Sequence, residues 1–598
     1  MQMCRSLLQT FLVLIISLGS PGTWASNQLA GHPSPYLALH AGDPVNWRSW
    51  QAEVFTDARQ DNRLVYVSVG YFSCHWCHVM QQESYQDEGI AKLLNQSYIA
   101  VKVDRELDPD LDRRLIDFVE KTRGSAGWPL NVFLTPDGYP IVGFTYLPSN
   151  VFANVLQELD DAWQQDQDQL AKAARNFFET EMQDQENQAF VAPKIPSQEL
   201  IGAFVSQTML LADELQGGIG NTSKFPNVPQ LDTLLTIIKQ NPELDKDVVD
   251  FVQLTLRMMA SKNLNDHVNN GFFRYTTDPD WNTPHFEKML YDNAQLVMLY
   301  LRAHKLWPGQ GHADIARRTL DFIEANLKHP DGGYMSSLSA VDVDNKEGGA
   351  YFWSREQLAA VLEDQEVEYL SKLWLAETKT SEFLIKPLTG QAASGEPAKN
   401  LPILEKLQSR GSKSMPVDDK RLAGWNAMML DALTAATDID SRYADRARAL
   451  FRYMRNDFYR AGSLIRFAGN AGAADAVLED YAQVARSFLN FGKRFGSEEA
   501  TRFSTQLTES AYALFLKNGR WQQKAESLIP IAPGKWIIPD QVFFSPMTLW
   551  IEVALEVPEL NPTVRAGANE MLQRATRDML DSPYFYGSFI MLRSNNPS

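Results

Sequence analysis

The most constraining feature of the chain is a pair of cysteines placed directly after an apolar run. The run Leu64-Val65-Tyr66-Val67-Ser68-Val69 is followed closely by Ser73-Cys74-His75-Trp76-Cys77-His78. A short apolar run rich in β-branched and aromatic residues predicts a buried strand, and the pattern of residues 77–94 predicts a helix. Two thiols at the junction of a strand and a helix predict a dithiol that exchanges electrons.

The spacing of the two cysteines assigns each a role. Electron exchange needs one thiol with a lowered pKa and a second that resolves the mixed disulfide. Cys74 is expected at the positive end of a helix dipole, and His75 adds a neighbouring cationic group. We therefore predict Cys74 as the nucleophile and Cys77 as the resolving thiol.

Four further residues are expected to modulate the dithiol or to lie beside it. They are His75, Trp76, His78 and Trp128. Trp128-Pro129 precedes a second predicted strand, where a cis-proline loop beside the dithiol is expected, with Pro129 as part of the catalytic site.

Three other interpretations of the motif stay open. Cys74 to His78 matches the Cys-x-x-Cys-His signature of c-type haem attachment. The cysteines with His75 or His78 are metal ligands by type, although donors on one short helical turn fit a tetrahedral site poorly. A structural disulfide would close a very small loop and stabilise little. We favour the redox pair, and predict no metal and no cofactor.

The N-terminus predicts export. Arg5 is followed by the apolar residues 7–18 and then by helix breakers and Ala25. This pattern is typical of a secretory signal peptide, residues 1–25, cleaved after Ala25. The alternative is a membrane anchor, for which the apolar stretch is short. We expect a periplasmic or secreted mature chain that has no transmembrane segment and has lost Cys4.

Length and charge limit the remaining possibilities. A chain of 598 residues allows two to four domains at roughly 150 residues each. The formal charge of −18 argues against a nucleic-acid partner, because phosphate binding needs clustered Lys and Arg. One disulfide would stabilise so long a chain only slightly. In an oxidising compartment, the single cysteine pair therefore favours a chemical role over a structural one.

Two regions of different character are predicted. Up to residue 183 the order is strand, helix, strand, helix, hairpin, which is the thioredoxin order. The predicted elements are strands 64–69, 98–103, 130–134 and 141–144 and helices 77–94, 110–121 and 150–183. Residues 184–196 are polar and end in Ala192-Pro193-Lys194-Ile195-Pro196, which predicts a linker. Residues 197–598 show a dozen or so helical segments in pairs, which predicts a closed toroid of hairpins.

Several long motifs identify a family resemblance. They are Asp43-Pro44-Val45-Asn46-Trp47, residues 74–80, residues 101–106, Gly127-Trp128-Pro129-Leu130, residues 284–294, Asp418-Asp419-Lys420 and residues 478–482. They resemble the spermatogenesis-associated thioredoxin-like family and its bacterial relatives. The resemblance implies an α/β thioredoxin-like domain over residues 27–183 and an all-α (α/α)6 toroid of the six-hairpin glycosidase type over residues 197–598. Fold alone is a weak warrant for sugar chemistry.

Candidate cleft residues of the toroid lie near predicted helix starts or in rim loops. Inverting sugar hydrolysis needs two carboxylates about 6.5–9.5 Å apart, and a histidine can serve as general acid or base. The candidates are His285, Glu287, Asp292, Asp342, Trp425, Glu479 and Asp480. Helix capping and buried hydrogen-bond networks are the structural alternative. Residues 543–547, Phe-Phe-Ser-Pro-Met, depart from the Pro-Ser-Gly-Asn-Ser string of relatives.

Three functional hypotheses follow. The first is an exported thiol-disulfide oxidoreductase that acts on protein thiols or disulfides and uses the helical barrel to recruit its substrate or partner. The second is a glycan-processing or glycan-binding protein with a regulatory or structural thioredoxin-like domain. The third is a non-catalytic scaffold.

Overall fold

The computed structural model of the chain describes most of the sequence. The described residues are 26–187, 195–241, 243, 245–373, 375–377, 382–385, 397–409, 415–460, 462–468, 474–530, 535–574 and 576–596. The predicted signal peptide, its cleavage point and Cys4 lie outside them, as does most of the predicted linker. Among the described helices, none combines the length and the apolar character that a bilayer span requires.

A mixed four-stranded sheet forms the centre of the N-terminal domain. Its strands are β1 (Leu64–Gly70), β2 (Tyr98–Asp104), β3 (Leu130–Leu134) and β4 (Pro140–Phe144). The order is β2-β1-β3-β4, with β1 parallel to β2 and antiparallel to β3. Strands β1 and β2 are buried along their whole length, which explains why their sequences are nearly continuous apolar runs. The predicted thioredoxin-like order is confirmed.

Six helices surround this sheet. They are α1 (Pro35–Leu39), α2 (Ala52–Asp61), α3 (His75–Met80), α4 (Glu88–Ser97), α5 (Pro109–Arg123) and α6 (Ser149–Asn187). The single helix predicted for residues 77–94 is wrong in one respect. It is broken between Tyr85 and Glu88, because the Asp87 side chain caps a new helix by accepting from Ile90 N at 2.8 Å. Helix α6 also continues beyond residue 183 into the predicted linker.

The C-terminal domain is helical. Its helices are α7 (Ser197–Leu211), α8 (Val228–Gln240), α9 (Lys246–Ser261), α10 (Leu290–Leu306), α11 (His312–Asn326), α12 (Arg355–Ala359), α13 (Asp364–Leu373), α14 (Pro397–Ser409), α15 (Ala423–Ala436), α16 (Tyr443–Asp457), α17 (Leu478–Phe495), α18 (Glu498–Phe515), α19 (Pro546–Glu556), α20 (Pro562–Leu572), α21 (Arg577–Asp581) and α22 (Gly587–Asn595).

Twelve of these described helices form a closed double ring. The inner ring runs α8, α10, α15, α17, α19 and α22, each helix packing on the next and α22 returning to α8. Each inner helix pairs with an outer one, in the pairs α8–α9, α10–α11, α15–α16, α17–α18, α19–α20 and α22–α7. Inner helices such as α10 and α15 are buried on nearly all sides, as expected of helices enclosed by a ring. The predicted six-hairpin toroid is confirmed.

The N-terminal domain covers one end of this barrel. Glu287, just ahead of α10, contacts Tyr71 and Ser73 of the loop that carries the dithiol. Lys420, just ahead of α15, pairs with Asp104 at the end of β2. The amino ends of α10 and α15 therefore face the N-terminal domain, and that of α10 lies beside the dithiol loop.

Candidate functional site

Cys74 and Cys77 are joined as a disulfide at the start of α3. Cys74 is the N-cap residue, and its Sγ accepts from the Cys77 backbone N–H at 3.2 Å. The Trp128–Pro129 peptide bond is cis. Because Val69 pairs with Leu130 across β1 and β3, Pro129 lies beside the loop that leads to Cys74. The side chains of Cys74 and Cys77 are only 3% and 2% exposed.

The barrel contributes an acidic group and a second histidine beside the dithiol. His75 Nε2 lies 3.5 Å from one carboxylate oxygen of Glu347, and His285 Nδ1 lies 2.7 Å from the other. The two imidazole rings are 5.7 Å apart. Burial lowers the pKa of His75, and the negative charge of Glu347 opposes that shift. The predicted residues His75 and His285 are thus brought together by a carboxylate that the sequence did not reveal.

Trp76 and His78 face in different directions. Trp76 is 42% exposed and packs against Tyr146 with ring centroids 4.9 Å apart. It is therefore the exposed edge of the motif. His78 is mostly buried, and a ring nitrogen lies 2.8 Å from the carbonyl of Phe72. Burial lowers the pKa of His78, so a neutral ring anchors the loop ahead of the dithiol.

Trp128 forms part of a cation–π stack below the dithiol loop. Its indole N–H donates to Asp112 Oδ1 at 2.7 Å, and the Arg105 guanidinium lies 3.9 Å from the ring centroid. Tyr71 packs edge-on against the same ring at 5.9 Å. These contacts fix the residue ahead of the cis-proline from three sides.

Glu287 connects the barrel to the dithiol loop. Tyr71 donates to one of its oxygens at 3.2 Å, and the Ser73 hydroxyl, next to Cys74, donates to the other at 3.4 Å. Arg274 pairs with Glu287 at 3.6 Å and donates to the Tyr71 hydroxyl. The carboxylate is neutralised and hydrogen-bonded, as buried charge requires. Glu287 therefore positions the segment that carries Cys74.

Asp292 and Trp425 lie deeper in the barrel, at the amino ends of α10 and α15. Burial raises the pKa of Asp292 to about 8, although Arg274 opposes the shift, and its Oδ2 has no hydrogen-bond partner. Trp425 packs on Tyr291 with ring centroids 4.7 Å apart. Both residues are buried. The structure thus gathers these candidates but closes them off from solvent.

The remaining three barrel candidates have structural contacts. Asp342 Oδ1 accepts from the backbone of Asp344 and Lys346 and so closes a turn. Asp480, at the start of α17, accepts from Gly424 N at 3.1 Å. Burial raises the pKa of the adjacent Glu479, which lies within the same buried cluster. Capping and network contacts account for the positions of all three.

A small cavity of about 20 Å³, no larger than a water-sized space, lies between the inner helices. Its polar lining includes two ion pairs, Arg302 with Asp232 at 2.8 Å and Arg486 with Asp431 at 3.3 Å. Phe544, from the segment that departs from the relatives' string, also lines it. Neither ion pair was singled out from the sequence.

A buried charge cluster at the domain interface was also missed. Lys420 Nζ lies 2.9 Å from Asp104 Oδ2 and 3.2 Å from Glu106 Oε2, and it donates to Asp418. Arg466 donates to the Glu106 carbonyl at 2.6 Å. The sequence contained an indication of this cluster. Two of the family motifs, residues 101–106 and 418–420, carry charged residues next to apolar ones, and these motifs meet here. Among the described residues, no group of three or more His, Cys, Asp or Glu is arranged to hold a metal ion.

Comparisons with known proteins agree with this architecture. The family model Thioredox_DsbH, described as a protein of unknown function, DUF255, matches residues 26–182. Human spermatogenesis-associated protein 20 is 30% identical over 553 residues, covering 82% of this chain and 70% of the human one. An uncharacterized protein of Caenorhabditis elegans is 30% identical over 541 residues, covering 80% of this chain and 73% of its own.

Solved structures give a weaker likeness. A D-mannose isomerase has a TM-score of 0.40 at 12% identity, covering 68% of this chain and 88% of its own. An α-1,6-mannanase of Salegentibacter has a TM-score of 0.39 at 10% identity, covering 67% and 99%. At such values the likeness says nothing of chemistry. On the relatives' identity and coverage, the chain belongs to the family of spermatogenesis-associated protein 20, with a thioredoxin-like domain followed by a six-hairpin barrel.

Proposed function

We propose that the chain is an exported thiol-disulfide oxidoreductase that acts on protein thiols or disulfides through Cys74 and Cys77. The observation that carries the proposal is the disulfide at the start of α3, beside a cis-proline on a thioredoxin-like sheet. Export rests on the N-terminal sequence pattern and on the scarcity of cysteine.

The chemistry is an exchange of two electrons. In the reducing direction the Cys74 thiolate attacks a substrate disulfide, forms a mixed disulfide and releases one substrate thiol. Cys77 then loses its proton and attacks Cys74 Sγ, which releases the second substrate thiol and closes the Cys74–Cys77 bond. The substrate gains two electrons and two protons, and the dithiol loses them. An external thiol reductant restores the dithiol.

The barrel supports this chemistry at two points. Glu347 holds His75, the residue after the nucleophile, together with His285, and imidazole is the side chain most often used as a general acid or base. The backbone N–H of Ala340 donates to the Ser73 carbonyl at 3.1 Å, so a barrel loop lies on the residue next to Cys74. Because Cys74 is nearly buried, the substrate reaches its sulfur at the seam between this loop and exposed Trp76.

Turnover of a disulfide substrate tests the proposal. The purified chain should reduce insulin or glutathione disulfide in the presence of a thiol reductant, and Cys74→Ser should abolish turnover. A Thr505→Ser variant, on outer helix α18, is the matched control and should keep full activity. Equal rates for the wild type and Cys74→Ser would refute the proposal.

A second candidate function is glycan binding or processing. It is supported by the convergence of Glu287, Asp292 and Trp425 at one end of the barrel. Against it, all three residues are buried, and Glu287 is hydrogen-bonded to the N-terminal domain. Loss of glycan binding in Glu287→Gln together with full binding in Cys74→Ser would favour this function over the first.

A further inference from the structure

One buried hydroxyl beneath the dithiol has no partner. Tyr36, on α1, is 1% exposed, and its hydroxyl makes no hydrogen bond. A methyl group built on Gly70 would overlap this hydroxyl and come within 2.8 Å of Cys77 Sγ. The hydroxyl and the sulfur therefore line the same small space at the end of β1, which stays open because residue 70 is glycine.

The position of Tyr36 is fixed by its surroundings. Ser34 caps α1 by accepting from Leu37 N at 3.2 Å, and the same hydroxyl donates to Asp104 Oδ2 at 2.6 Å. The Tyr36 ring packs edge-on against His40 at 5.1 Å, and Lys102 Nζ lies 5.4 Å from its centroid. The ring cannot turn away without disturbing this core, so the hydroxyl stays directed towards the dithiol.

The hydroxyl keeps its proton and is available as a donor here. Burial raises the pKa of Tyr36 well above its usual value, and the neighbouring Tyr85, Asp104 and Asp43 add to the shift. It therefore remains protonated at any physiological pH. The sulfur of a disulfide is a weak acceptor, whereas a thiolate is an anion that accepts strongly.

We propose that the Tyr36 hydroxyl donates a hydrogen bond to Cys77 Sγ when the disulfide opens, and so stabilises the reduced pair relative to the disulfide. This inference rests on the proposed redox function and deepens it by naming a positioning residue for the resolving thiol. Reduction takes up two electrons and two protons from two external thiol groups, which become joined as a disulfide, while Tyr36 keeps its own proton. An unpartnered buried donor is unfavourable, and only the oxidised form contains it.

The consequence is a direction for electron flow. By favouring the dithiol, Tyr36 makes the disulfide easier to reduce and the chain a better acceptor of electrons from substrate thiols. The same contact assists the thiolate form of Cys77, which is the form that resolves a mixed disulfide.

The test is the redox equilibrium of the full chain with glutathione, in a Cys4→Ser background so that only the pair titrates. Tyr36→Phe should lower the equilibrium constant for reduction about tenfold, which is about 30 mV for a two-electron couple. Tyr98→Phe is the matched control, because its hydroxyl is buried in the same domain but donates to the Leu156 carbonyl at 2.5 Å. It should leave the constant unchanged. An unchanged constant in Tyr36→Phe, or an equal shift in both variants, would overturn the proposal.

A second measurement keeps the inference testable if Tyr36→Phe is poorly folded when oxidised. In a Cys4→Ser, Cys74→Ser chain, Cys77 is the single thiol, and its pKa can be followed by thiolate absorbance. Adding Tyr36→Phe should raise that pKa, and no change would refute the hydrogen bond. Neither measurement needs substrate turnover. A chain that shows both shifts but neither reduces protein disulfides nor oxidises protein thiols would refute the proposed function and leave this inference standing.

Discussion

Replacing Lys420 by methionine should strongly destabilise the contact between the two domains. Lys420 is fully buried among three carboxyl groups, with Asp104 at 2.9 Å, Glu106 at 3.2 Å and Asp418 also in contact. Removing one partner of a buried ion pair costs about 3–5 kcal/mol, because it leaves uncompensated charge in the interior. Methionine retains much of the length of the lysine side chain, so the loss is electrostatic rather than a cavity effect.

The pH dependence of the stability loss in Lys420→Met shows whether its cause is electrostatic. Burial already raises the pKa of Glu106 to about 8, with Lys420 opposing the shift. A carboxyl whose pKa is higher in the folded chain gives stability that is present below its unfolded value and is lost as pH rises through the folded value. Without Lys420 the pKa of Glu106 rises further. The loss of unfolding free energy in the variant should therefore be smallest near pH 5 and largest above pH 8.

Urea denaturation followed by tryptophan fluorescence at several pH values measures this deficit. Lys305→Met is the matched control, since Lys305 makes an exposed pair with Asp438 at 2.8 Å and should cost less than about 1 kcal/mol. Equal losses in the two variants, or a loss in Lys420→Met that does not change with pH, would refute the electrostatic explanation.

Two further predictions concern titratable groups near the dithiol. Glu347→Gln should lower the pKa of His75 further, because the carboxylate charge now opposes the effect of burial; NMR titration of the imidazole protons measures this, and an unchanged or higher value would contradict it. Asp292→Asn should match the wild type in thermal stability near pH 4 and exceed it near pH 8, because the raised pKa of Asp292 makes its ionisation cost stability over that interval. Melting curves across pH test this, and a constant difference would count against it.

The sequence predicted what depends on local pattern. The apolar run of β1, the Cys74–Cys77 spacing and the Trp128–Pro129 pair are each readable within a few residues, and they specify the dithiol and its strand. The helix break at Asp87 was predictable in principle, because Asp is a favourable N-cap residue. It was not predicted, because the helical spacing of apolar residues continues across Asp87. Local order also located the paired helices of the barrel.

Residues that act through long-range contacts were not predictable. Glu347 meets His75 only because the barrel loop folds back on the N-terminal domain. Asp342 was predicted as a cleft carboxylate, but its side chain closes a turn. The sequence pattern of an acidic residue in a loop is the same for both roles. The relation of Tyr36 to Cys77 was likewise not predictable, because it depends on the absence of a side chain at Gly70.

Trapping a mixed disulfide tests the central claim most directly. In Cys77→Ser the resolving thiol is absent, so Cys74 should remain covalently bound to a disulfide substrate such as insulin, and mass spectrometry of the digested adduct should locate the bond at Cys74. Cys74→Ser should form no such adduct. If Cys77→Ser also failed to form the adduct while still folded, Cys74 would not be a nucleophile towards disulfides, and the redox account of this chain would be contradicted.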